Sequence, residues 1–188
     1  MFFNHQTRIV KARVERAGTA RLCSEVSGAV AIEFALLAPP FLALIFAAIQ
    51  TALVFFATEV LETTAESASR IILTGQAQLQ GMSQSQFASA VCGQIPGLLR
   101  CANLMIDVQT ASSFSNANTT APTLTFDSQG QVTNVWQYRP GTPGDVVVLR
   151  ILYQWPLVYG PLSFNLANLG NGNRLLMATA VFKNEKFQ

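Results

Sequence analysis

The chain has 188 residues, half of them hydrophobic and only 12% charged, and its mean hydropathy of +0.32 is high for a water-soluble domain of this size, so the apolar excess must be concentrated somewhere. A formal net charge of +2, with five of the 12 basic residues concentrated in the first 28, is too small to argue for a nucleic-acid partner. The single histidine is His5, and there is no GxSxG, glycine-rich phosphate loop or carboxylate pair with a supporting base, which argues against an enzyme and implies no cofactor.

Residues 1–28 form a basic leader in which Arg8, Lys11, Arg13, Arg16 and Arg21 outweigh Glu15 and Glu25. The run from Phe34 to Phe56 carries no charge. As a helix it spans about 35 Å, enough to cross a hydrocarbon core of about 30 Å. This predicts a transmembrane segment over 29–57; the alternative, a removed signal peptide, normally has a shorter apolar region. The first charges beyond the run are Glu59, Glu62 and Glu66, so the basic side is expected in the cytoplasm and residues 58–188 outside it. Attraction to an anionic inner leaflet accounts for the leader's charge. Pro39 and Pro40 remove helix donors, predicting a kink in the first third of the span.

The helical pattern continues past the span. In EVLETTAESASRIILTG, Val60, Leu61, Ala65, Ala68, Ile71 and Ile72 recur at helical spacing, while Glu59, Glu62, Glu66 and Arg70 fall mainly on other faces, with Gly75 as the stop. A second helix is expected over 83–92, capped by Ser83 and carrying Phe87 and Val91 four residues apart. Cys92 and Cys101 follow in CGQIPGLLRC, where Pro96 and Gly97 supply a bend, while Cys23 lies in the leader. In an oxidising compartment the outer pair suits one disulfide; two free buried thiols are the other reading, and a zinc site lacks ligands.

After Cys101 the period changes to that of strands, at 103–109, 145–155 and 174–183, with VTNVWQY at 132–138 as a weaker fourth. The strand apolar on both faces, 146–155, belongs at the sheet centre with the long helix over one face. Asp107, Asp127 and Asp145 read as turn or surface residues, and Trp136, Tyr138, Tyr153 and Trp155 as core or cross-strand packing in preference to a binding patch. The fold class expected is α+β: a long N-terminal transmembrane helix continuing outward onto a small, mainly antiparallel sheet of three or four strands, with one or two short helices.

One carboxylate, Glu33, stands at the mouth of the apolar run in GAVAIEFALLAPPFLALIF. Near the inner edge of a bilayer it is either solvated by headgroups or paired. If the chain began at Ala29, Glu33 would lie one helical turn from a free α-amine, its own or a neighbour's.

A basic leader, then Gly28, AVAI, Glu33 and Phe34 opening an apolar helix, resembles the prepilin-peptidase site of type IV pilins and pseudopilins. The fuller pattern GAVAIEFALLAPPFLALIFAAIQ resembles the TadE-like proteins of the tight-adherence (Tad, or Flp) pilus system, most specifically over about residues 26–75; the cysteine pair followed by a strand is a looser match. The resemblance implies a non-enzymatic pseudopilin or minor pilin of an adhesive pilus. It implies cleavage between Gly28 and Ala29 by a prepilin peptidase, an assembly role for Glu33 and Phe34, residence in the bacterial inner membrane, and pilin-like and Tad assembly proteins as partners. A proline in this part of the helix also resembles the family. The alternative is a permanently anchored periplasmic binding or scaffold domain that is never processed.

Overall fold

The computed structural model of the protein describes residues 26–95, 97 and 99–187. The leader up to Glu25, with His5 and Cys23, and the bend residue Pro96 lie outside the described residues. Helix α1 is Val26–Leu73, 48 residues long, and two compact units divide the chain after Phe46.

In the first unit α1 is rich in Ala and Leu, residues that lose little on entering a helix, and it continues through Pro39 and Pro40 without interruption. Its large side chains face outward: Val30, Ile32, Phe34, Leu36, Leu37, Phe41, Leu42 and Leu44 are all exposed. By length and composition the helix can cross a membrane once.

In the second unit, Ala47–Gln188, the same helix turns amphipathic. Val54, Ala57, Leu61, Ala65, Ala68 and Ile72 are buried at successive spacings of three and four, and Val60 and Ile71 pack beside them, as the periodicity predicts. Glu59, Glu62, Glu66 and Arg70 are exposed. Threonines are accommodated because their hydroxyls donate back to carbonyls one turn earlier: Thr58 to Val54 at 2.9 Å and the buried Thr64 to Val60 at 2.8 Å. Gly75 ends this run with φ of +79°, and a Cβ there would collide with the Phe187 ring, so only glycine fits on both counts. A single turn, α2 (Gln76–Leu79), leads to α3 (Gln84–Cys92). Ser83 caps α3 in a reciprocal box: the Gln86 N–H donates to its hydroxyl at 3.3 Å and its own N–H donates to the Gln86 side chain at 2.8 Å.

Strands β1 (Leu104–Ala111), β2 (Val146–Trp155) and β3 (Arg174–Lys183) form one antiparallel sheet in the order β1-β2-β3. The fold is α+β. Central β2 is buried on both faces, as its apolar run predicts. One face sets Ile106, Val108, Val147, Leu149, Ile151, Tyr153, Leu176 and Ala178 against α1 and the α3 residues Phe87 and Val91. The other carries Met105, Asp107, Val148, Arg150 and Leu152, also buried.

Two expectations are corrected. The 132–138 segment is not a fourth strand: Phe126 bridges Val132 antiparallel while Tyr138 bridges Val108 in parallel, so its two halves pair in different directions. Side chains take the backbone groups a ladder would need, with Asn134 accepting from the Thr125 N–H at 2.8 Å and Asp107 from the Gln137 N–H at 2.9 Å. Asp107 is also not a surface residue. It is 2% exposed and pairs with Arg150, which stands directly opposite it in the β1–β2 register and is 6% exposed.

Candidate functional site

Of the residues singled out from the sequence, Gly28, Ala29, Glu33, Phe34, Pro39 and Pro40 all lie on the first-unit part of α1 and all are exposed. Nothing lies within 4 Å of a Cβ built on Gly28. Glu33 is the one charge among the exposed Val30, Ile32, Phe34, Leu36 and Leu37. A soluble helix hides such a face, and here the outward surface is apolar on every side, the distribution of a segment whose solvent is lipid or other helices. An acid there is costly unless a cation or donor meets it.

The cysteine pair sits elsewhere, in the second unit, where Cys92 at the end of α3 is joined by a disulfide to Cys101 just before β1, their Cα atoms 5.5 Å apart. It closes the turn leading from α3 into the sheet.

The three aspartates singled out from the sequence make contacts within the fold. Asp107 Oδ2 accepts from Arg150 Nε at 3.1 Å and Nη2 at 2.5 Å and from Gln109 at 2.9 Å, and Arg150 also donates to the Thr120 carbonyl at 3.3 Å. These contacts tie the irregular chain between β1 and β2 across the second sheet face. Asp127 and Asp145 are turn residues, as expected. Asp127 accepts from the Gln129 and Gln131 N–H groups at 2.8 Å each, and Asp145 from the Thr142 N–H at 2.8 Å, which with the Thr142 hydroxyl holds its pKa below the usual carboxylate value. Tyr153 and Trp155 pack tilted at 6.4 Å, and Tyr138 lies 5.4 Å from Phe87 with its pKa raised by burial. These three are packing residues, whereas Trp136 lines an open cleft of about 620 Å³ together with Gln129, Gln131, Gln154, Asn171 and Asn173. Among the described residues the cleft's polar lining is of neutral side chains, which offer hydrogen bonds.

Sequence reasoning overlooked a further feature, the loop that follows β2. Val158, Tyr159 and Leu162 are 68%, 74% and 81% exposed, and the Val158 carbonyl accepts from the Gln50 side chain of α1 at 2.8 Å. The run of apolar residues around Pro156 and Pro161 was the available signal.

No curated protein and no solved structure matches the chain. Residues 28–70, the part of α1 that opens on Gly28 and carries Glu33, match the family model described as TadE-like protein, the family that the sequence resembles.

Proposed function

We propose that the protein is a structural component of a Tad-type pilus assembly system, a pseudopilin or minor pilin without enzymatic activity. It is anchored in the bacterial inner membrane with its leader cytoplasmic and the unit from Ala47 onward outside. A prepilin peptidase cuts between Gly28 and Ala29, and Glu33 then pairs with the freed Ala29 amine of a neighbouring pilin-like helix. The observation that carries this reading is the coincidence of the family match, which starts at residue 28, with an exposed Glu33 and Phe34 five and six residues further on.

Two unit charges about 4 Å apart attract by about 4 kcal/mol at an effective dielectric near 20, before desolvation is subtracted. The net gain in affinity is therefore small. The gain in register is large, because the pairing works only when neighbouring helices are offset by about one turn.

Intact mass of the protein purified from cells with and without an active prepilin peptidase tests the cleavage. The expected result is a chain starting at Ala29 only when the peptidase is present. A chain still carrying its leader in peptidase-positive cells overturns the proposal in favour of a permanently anchored scaffold domain. Glu33→Gln tests the register role: insertion and the Cys92–Cys101 disulfide should persist while recovery of pilin-like partners and surface piliation fall. Wild-type fibres from this variant would reduce Glu33 to a solvated interfacial acid.

A further inference from the structure

We infer that the loop Pro156–Phe164 is a second membrane contact, an interfacial foot that seats the base of the sheet in the outer headgroup layer beside α1. This rests on the reading of α1 as a membrane span, and the exposure of the loop's side chains supports it. Among the described residues outside α1, the exposed large apolar residues Leu79, Phe114 and Val135 stand singly, whereas Val158, Tyr159 and Leu162 share one short loop. Scattered apolar residues need no explanation, but a cluster does. The chain from Ile151 to Asn173 carries no charged residue, so nothing in or beside the loop opposes transfer to an apolar phase.

Position along α1 identifies the occupant as lipid. Gln50 lies inside the charge-free run of the helix, and its side chain holds the Val158 carbonyl. Gln50 stands six residues, about 9 Å along the helix, before Phe56, the last residue of the charge-free run and so the end nearer the outer interface. The loop is thus pinned at the level of the outer interface. Around that level α1 itself exposes Ile49, Leu53, Phe55 and Phe56. At the other end of the second unit, Leu73 accepts from the Glu185 N–H at 3.0 Å just after β3, so β2 ends toward the membrane and β3 ends away from it.

The loop is also built to enter a poorly hydrated layer. Pro156 and Pro161 have no N–H to leave unsatisfied. The Gly160 N–H donates to the Phe164 carbonyl at 3.1 Å and the Phe164 N–H to the Pro161 carbonyl at 3.3 Å, closing the loop on itself. A Cβ on Gly160 would lie 2.9 Å from that Phe164 oxygen, so glycine permits the closure. At the tip Leu162 and Ser163 hold φ of 57° and 64°, a left-handed conformation disfavoured for side-chain-bearing residues, and Leu162 is thereby presented outward. Tyr159, with an apolar ring and a polar tip, suits the headgroup level.

Site-directed spin labelling of the full chain reconstituted in phosphatidylcholine–phosphatidylglycerol vesicles tests this, with Cys23→Ser removing the leader thiol. Labels are placed at Leu162→Cys, at Val158→Cys as a second loop position, at Phe41→Cys in the span and at Phe114→Cys near the far end of the sheet. Collision rates with oxygen, which partitions into lipid, and with a water-soluble nickel chelate are compared. The expected oxygen-to-nickel ratio at 162 and 158 is at least threefold above that at 114, with 41 higher still. Loop labels as open to nickel as the label at 114 overturn the inference, and loop labels shielded from both reagents overturn it by indicating burial against protein, the chain itself or a second copy. A water-accessible label at 41 would instead fault the spanning helix, so the two failures are distinguishable.

Discussion

Asp107→Ala should be among the most damaging single substitutions in the second unit, because it leaves the Arg150 guanidinium buried without its counterion. Asp107 is 2% exposed and accepts two hydrogen bonds from Arg150, one from Gln109 and one from the Gln137 N–H. Breaking a buried pair by removing one partner costs about 3–5 kcal/mol. At about 3 °C per kcal/mol for a unit of this size, the melting temperature should fall by roughly 10–15 °C. The assay is thermal unfolding of the detergent-solubilised protein followed by the fluorescence of Trp136 and Trp155. The pair removed together, Asp107→Leu with Arg150→Met, should recover most of the loss, since an apolar pair of similar volume leaves no stranded charge. A shift under about 3 °C for Asp107→Ala, or a double variant no better than the single, would refute the claim that the pair is desolvated in the folded protein.

Reducing the Cys92–Cys101 disulfide should lower stability by about 2.5–3 kcal/mol, the chain-entropy value for so short a loop, and denaturation with and without reductant measures it. Gly75→Ala should destabilise by more than about 1 kcal/mol, because φ of +79° disfavours any side chain and the Cβ meets the Phe187 ring; urea unfolding checks it. Thr142 holds the Asp145 carboxyl below its unfolded value, so the stabilisation is fully present above pH about 4 and is lost as pH falls through the lower folded value. The stability gap between wild type and Asp145→Asn should therefore be open at neutral pH and close on acidification, and acid titrations of both proteins show whether it does.

Local patterns were legible and long-range pairings were not. The stripe Val54, Ala57, Leu61, Ala65, Ala68, Ile72 follows the helical repeat, and Gly75 ends it, because both depend on residues within a few positions of one another. β2 and β3 fall where their apolar runs predict, while β1 begins one residue later and ends two later than expected. The Asp107–Arg150 pair escaped notice because it needs the register of two strands and the knowledge that an aperiodic segment covers that face. Arg150, a lone charge in VVVLRILY, was the available clue. On α1 the short-range spacing of Gly28, Glu33 and Phe34 made that candidate site readable. The loop at Val158 was not, since its position depends on a hydrogen bond to a residue far back in the chain.

The two proposals constrain each other. A pseudopilin that enters a fibre must withdraw its apolar helix from the bilayer, and an interfacial foot would have to leave with it. Fully burying three side chains such as Val158, Tyr159 and Leu162 is worth about 1.5–3 kcal/mol each, and the wet headgroup layer supplies only part of that, so the foot holds the protein by less than about 9 kcal/mol. The run from Phe34 to Phe56 offers many times that apolar surface. Retention is therefore decided by the helix, and whatever repays its extraction also repays the foot's. If the loop does rest in the headgroup layer, its effect is on orientation: a second lipid contact limits the tilt of the second unit against the membrane surface. Under the two proposals together, Glu33 would set the axial offset between neighbours and the loop the tilt at which they meet. Substituting Leu162 should accordingly impair partner recovery without releasing the protein from the membrane, whereas Glu33→Gln should impair it with the unit's seating unchanged.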